Sequence, residues 1–157
     1  MGCRDDLEAY LREHGVPFSI HHHPVAYTAQ ETAAAEHIAG KTLAKVVMAF
    51  ADDKLVMLAL PALYRVDLEK TATALGAKEV RLAHEREFSL RMPGCEVGAM
   101  PPFGNLYGIP VHVDRSLEEN ETIVCQAGTH TDTVSLKYSD FKRLAEPGVI
   151  DCAHRPA

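Results

Sequence analysis

The chain has 157 residues, of which 46% are apolar and 24% charged, and its formal net charge is −6. That length suits one domain spanning 1–157 with a core of its own, and the balance is that of a folded protein and not of a disordered chain. No run approaches the roughly 18 apolar residues of a membrane span, no apolar leader follows Met1, and the acidic balance lacks the basic footprint of a DNA-wrapping protein. The expectation is a cytoplasmic protein with no membrane or DNA partner. Cys3, Cys95, Cys125 and Cys152 form no CxxC pair, so they read as free structural thiols and not as a zinc or redox site.

Leu7, Tyr10 and Leu11 recur at helical spacing and Gly15 and Pro17 end the run, which predicts a short helix over 5–14. Phe18 to His22 reads as a strand. His21 and His23 share its face, but no third ligand stands at a recognisable spacing and no metal is expected. Thr28 and Glu31 form a capping box for a helix to His37, ended by Gly40. Leu43 to Phe50 and Leu55 to Leu60 predict an antiparallel hairpin around Ala51-Asp52-Asp53-Lys54. Asp67 caps a helix to Leu75 with Gly76 past its end, Lys78 to Leu82 is a strand, and His84 to Met92 a helix. Three short strands follow at Pro110–Val113, Glu121–Cys125 and Thr133–Lys137, and a helix from Tyr138 to Leu144 closes the chain. Strands joined both as hairpins and across helices predict an α+β fold with a mixed sheet and helices packed outside it.

Two features stand out from this scaffold. Gly94 to Gly104 holds three glycines and the pair Pro101-Pro102 in eleven residues; it cannot continue a helix or a central strand. Such a loop can turn backbone N–H groups toward an oxyanion or a phosphate. Lys45 lies among Leu43, Ala44, Val46 and Val47, and an ammonium in that setting is paired, faces a polar cavity, or snorkels to solvent.

The order of motifs is that of a known family. His-Pro-Val-Ala-Tyr-Thr-Ala-Gln-Glu, Gly-Lys-Thr-Leu-Ala-Lys-Val-Val, Leu-Pro-Ala with Val-Asp-Leu after it, and Gly-Ala-Met-Pro-Pro-Phe-Gly follow one another between about Leu7 and Leu144. The chain thereby resembles the YbaK / prolyl-tRNA synthetase editing-domain family of aminoacyl-tRNA deacylases. That resemblance implies a mixed, partly barrel-like β-sheet surrounded by helices. It also implies hydrolysis of the ester between a wrong small amino acid, such as Ala, Ser or Cys, and the tRNA 3′ end. The implied partners are the tRNA acceptor end and an aminoacyl-tRNA synthetase, with no cofactor. The segment Val124 to His130 departs from the His-Pro and Asn of the alanine-specific branch.

By the same resemblance Lys45 matches the functional lysine and Gly94 to Gly104 the glycine loop that lines the pocket; since ester hydrolysis passes through an oxyanion, the amides of Gly98, Ala99 and Met100 are its candidate donors. Tyr27, Thr28, Gly94, Pro101, Phe103, Gly104, Asp114, Gly128 and His130 are the expected substrate-binding residues. Lys45 would bind the terminal phosphate, orient the water or stabilise developing charge, and the residues leave these three roles open. Water attack is expected in preference to an acyl-enzyme on Cys95, which has no identifiable base beside it. The alternative is a catalytically silent module of the same fold that binds tRNA or a synthetase.

Overall fold

The computed structural model describes residues 2–35 and 39–155. Its helices are α1 (Cys3–Glu13), α2 (Ala29–Ala35), α3 (Leu68–Leu75), α4 (Glu85–Phe88) and α5 (Tyr138–Ala145). Its strands are β1 (Phe18–His22), β2 (Leu43–Ala51), β3 (Lys54–Pro61), β4 (Arg65–Val66), β5 (Val80–Leu82), β6 (Val111–Asp114), β7 (Thr122–Gln126), β8 (Asp132–Lys137), β9 (Gly148–Ile150) and β10 (Ala153–His154). The expected continuation of α2 to His37 falls outside the described residues.

Eight strands make one mixed sheet in the order β1-β8-β7-β2-β3-β6-β9, with β5 added against β2, while β10 and β4 form a separate antiparallel pair. The predicted hairpin is its centre: β2 and β3 pair antiparallel, Met48 opposite Met57 and Ala51 opposite Lys54. Asp52 turns the chain in the left-handed region, at φ 55°, and its carboxylate accepts from the amides of Lys78 and Glu79 at 3.1 Å each. Asp tolerates that conformation because its short side chain bonds nearby backbone. The other edge of β2 is shared. Leu43 and Ala44 pair parallel with Val124 and Cys125 of β7, whereas Ala49 to Ala51 pair with β5.

Strand alternation sorts the core into two faces. Ala44, Val46, Met48 and Phe50 join Leu7, Leu11, Phe103 and Phe141 on the face covered by α1 and α5. Leu43 points the other way, with Ala33 of α2, Ala62 and Val124, and Ala49 packs with residues of α3. Phe103 meets Phe141 edge-on with centroids 5.5 Å apart, and burying a ring of that size contributes on the order of 2–3 kcal/mol. The caps follow the sequence: Asp67 accepts from the Lys70 amide and Gly76 ends α3 at φ 66°, and Thr28 Oγ1 accepts from the Glu31 amide at 3.0 Å.

Three expectations are corrected. Cys3 and Cys95 are joined by a disulfide between residues 92 apart, so only Cys125 and Cys152 are free. The helix ending near Leu144 does not close the chain, because β9 and β10 follow it and pair with β6 and β4. The helix expected from His84 to Met92 is broken after Phe88, and a 3-10 turn covers Ser89–Arg91.

Candidate functional site

Lys45 sits on β2 one residue beyond the part paired with β7, on the face that carries α2. Its side chain lines a cavity of about 300 Å³ together with Thr28, Ala29, Ala62, Leu63, Tyr64 and Arg65. Half-buried, Lys45 donates from Nζ to the Ala62 carbonyl at 3.3 Å. An ammonium has three donors, so this bond leaves two for a ligand. Burial first, and the Arg65 charge second, hold its pKa below the ordinary lysine value. Leu-Pro-Ala at the end of β3 supplies the carbonyl that holds the ammonium, and Tyr64 and Arg65 close the far wall. Nothing in the local sequence marked these two, because they reach the cavity through the turn after Pro61.

The glycine loop does not line this cavity. It is built around the Gly128 turn: Glu96 N donates to Gly128 O at 2.8 Å and Gly128 N to Ala99 O at 2.9 Å. A Cβ on Gly128, at φ 99°, would stand 2.9 Å from the Cβ and Sγ of Cys3, so this glycine is required by close packing and by a left-handed backbone. Gly94 is required for the same two reasons, at φ 81° and 3.1 Å from the Cys3 amide. Gly98 is exposed at φ 86°. His130 bridges loop and turn: its amide donates to Glu96 Oε1 at 2.6 Å, and its Nε2 lies 2.9 Å from the Val97 carbonyl. That carbonyl only accepts, so Nε2 carries a proton. Tyr27, 70% exposed, packs on the His130 ring with centroids 5.0 Å apart, and the next residue, Thr28, is in the cavity wall.

Several expected site residues have other partners. The Ala99 amide donates to Glu96 O at 3.0 Å, which commits it to a turn and away from an oxyanion. Met100, Pro101, Phe103 and Gly104 are buried, and Met100 and Phe103 pack on the α1 and α5 side of the sheet. Asp114 is also buried and faces a different cavity, with Lys70, Arg115 and Ser116. Its carboxylate accepts from the Ser116 hydroxyl and amide and from the amides of Cys152 and Ala153 at 2.9 and 3.0 Å. Burial pushes its pKa up, but these bonds outweigh burial and leave it below the ordinary value. Asp114 thus anchors the last strand.

The cysteines offer no nucleophile here. Cys95 is in the disulfide, and burial pushes the thiols of Cys125 and Cys152 up to about 12. Among the described residues no three His, Cys, Asp or Glu side chains are grouped to hold a metal, and no helix is long and apolar enough to cross a membrane.

Residues 23–144 match the aminoacyl-tRNA editing domain, and the chain belongs to that family. Over 97 residues it is 31% identical to the multifunctional Ser/Thr-tRNA deacylase ProXp-y of Escherichia coli (strain K12), a match spanning 61% of this chain and 58% of that protein. A crystal structure of a proposed trans-editing enzyme for prolyl tRNA synthetase superposes with a TM-score of 0.84 at 19% identity, covering 98% of each chain. A scaffold used for epitope backbone grafting by computational design gives 0.85 at 18% identity, over 99% of each. These two establish the fold.

Proposed function

We infer that this chain is an aminoacyl-tRNA deacylase that clears small wrong amino acids from tRNA in the cytoplasm, with seryl and threonyl esters as its first substrates and alanyl and cysteinyl esters behind them. The observation that carries this reading is the Lys45 ammonium, half-buried at a cavity of about 300 Å³ with one donor spent on Ala62 O, in a chain of the editing-domain family. The hydroxylated substrates follow from the relative, a Ser/Thr-tRNA deacylase.

In this reading a water oxygen attacks the ester carbonyl. The C–O bond to the terminal ribose breaks, the ribose oxygen takes one of the water's protons, the other passes to solvent, and the amino acid leaves as its carboxylate. Negative charge gathers on the carbonyl oxygen in between. The two remaining Lys45 N–H groups stabilise it, helped by the Gly98 amide when the aminoacyl end spans from cavity to loop. Tyr27 on His130 offers an exposed aromatic face for the terminal adenine.

The test is hydrolysis of tRNAs charged with Ser, Thr, Ala, Cys and Pro by wild type and Lys45→Ala, with EDTA throughout. The wild type should clear seryl and threonyl esters, and Lys45→Ala should be slower by roughly 10²–10³-fold. No turnover of any ester would instead assign the chain to the silent binding module. Equal rates for the two proteins would remove Lys45 from the chemistry.

A further inference from the structure

Gln126, the last residue of β7, is 5% exposed. Its Nε2 donates to Thr32 Oγ1 at 2.9 Å, and Thr32 Oγ1 donates to the Thr28 carbonyl at 3.0 Å. A hydroxyl has one proton. In this structure that proton goes to Thr28 O, Thr32 accepts from the amide, and the Gln126 NH₂ faces it. With the amide so oriented, its other end, Oε1, is buried without a hydrogen-bond partner among the described residues. A buried amide carbonyl lacking a donor is costly, and such positions call for a reason.

The position of the carbonyl supplies one. Leu43 and Ala44 pair with Val124 and Cys125, so Lys45 and Gln126 come next on the two neighbouring strands. Strand alternation puts both on the face of Leu43 and Val124, under α2. The contact with Thr32 shows that Gln126 does point there. Thr28 and Ala29, at the start of α2, line the Lys45 cavity, and the Thr28 carbonyl also accepts from Thr32. The unpaired acceptor and the Lys45 cavity are thus linked through Thr28, on neighbouring strands under the same helix.

We propose that Gln126 is a specificity-determining residue whose amide carbonyl accepts a hydrogen bond from the side-chain hydroxyl of a seryl or threonyl ester, with Thr32 as the positioning residue that holds the amide. The aminoacyl side chain reaches it by entering between the Thr28–Ala29 turn and the sheet. This rests on the deacylase reading above. A site with a buried acceptor favours the substrate that satisfies it and disfavours one that leaves it bare, so the hydroxyl is selected over hydrogen or thiol.

The experiment compares kcat/KM for seryl-, threonyl-, alanyl- and cysteinyl-tRNA between wild type, Gln126→Met, Gln126→Glu and Thr32→Val, each checked by thermal melting. The wild type should prefer seryl over alanyl ester by at least about tenfold, and Gln126→Met, which keeps the volume and loses the acceptor, should erase that ratio while alanyl turnover stays within about threefold. Gln126→Glu keeps an acceptor and should keep much of the preference, and Thr32→Val should weaken it. Wild-type turnover of several esters without a seryl preference overturns the proposal whether or not the variants fold. So does an equal fall on every ester in Gln126→Met, which would assign the carbonyl to the substrate ammonium, or an unchanged ratio, which would assign it to an internal water. Absence of turnover of any ester by the wild type is the distinct result that overturns the deacylase reading, and this proposal with it.

Discussion

Opening the Cys3–Cys95 bridge removes a cross-link between the first turn of α1 and the glycine loop, whose ends are 92 residues apart in sequence. Closing a loop of that length lowers the entropy of the unfolded chain by an amount worth about 4–5 kcal/mol on the chain-entropy estimate. For a chain of this length that corresponds to a fall in Tm of roughly 10 °C or more. The folded side loses little at the same moment, because Cys3 stays packed against Gly94 and Gly128 and its amide keeps the 3.4 Å bond to Gly94 O. The assay is a thermal melt of oxidised protein, of protein reduced with a phosphine, and of Cys3→Ser/Cys95→Ser, with intact mass confirming the ~2 Da difference between bridged and open forms. The open forms should melt together and well below the bridged one. Coincident melts within ~2 °C, with the mass difference verified, would refute the cross-link as a source of stability. Failure to find the bridged mass after mild oxidation would refute the pairing itself.

Two further outcomes follow from titrating groups. Asp114 has its carboxyl below the ordinary value of 3.8 through bonds to Ser116, Cys152 and Ala153. Its contribution is therefore fully present above that ordinary value and lost as pH falls through its folded pKa. Asp114→Asn should cost about 1–3 kcal/mol near pH 7, a gap that narrows below about pH 4; a gap that persists into acid, by urea titration, would contradict this. Lys45 has its pKa lowered from 10.5 by burial and then by Arg65, so its ammonium is lost earlier than that of an ordinary lysine. The Lys45-dependent deacylation rate, corrected for spontaneous hydrolysis, should fall on the alkaline side with a midpoint below 10.5, and Arg65→Gln should move that midpoint upward. A midpoint at or above the ordinary value would mean that the lysine is fully solvated in action.

The elements legible in the sequence are those whose cause is local. The β2–β3 hairpin follows from two apolar runs around Asp52-Asp53, and the ends of α3 from Asp67 and Gly76, because alternation, a short acceptor side chain and a Cβ-less residue each act within a few positions. Lys45 was legible as a charge in an apolar strand, and the motif order pointed to the editing-domain family. Strands β4, β9 and β10 were not legible. They are two or three residues long, and such segments become strands because a partner edge and the Asp114 carboxylate collect their amides.

The candidate site divides along the same line. The sequence by itself determined which residue types were at hand: a lysine on a strand face, a loop rich in glycine, an aromatic before a helix cap. Only the tertiary structure decided what each was free to do. It spent the Ala99 amide on Glu96, buried Phe103 against Phe141, and turned Asp114 to the last strand. Among the described residues it left two Lys45 donors and the Gln126 carbonyl unspent on the face under α2. Hydrogen-bonding capacity is a property of a residue, but its availability depends on which neighbour reaches it first, and across gaps such as the 94 residues between Thr32 and Gln126 only the folded chain settles that.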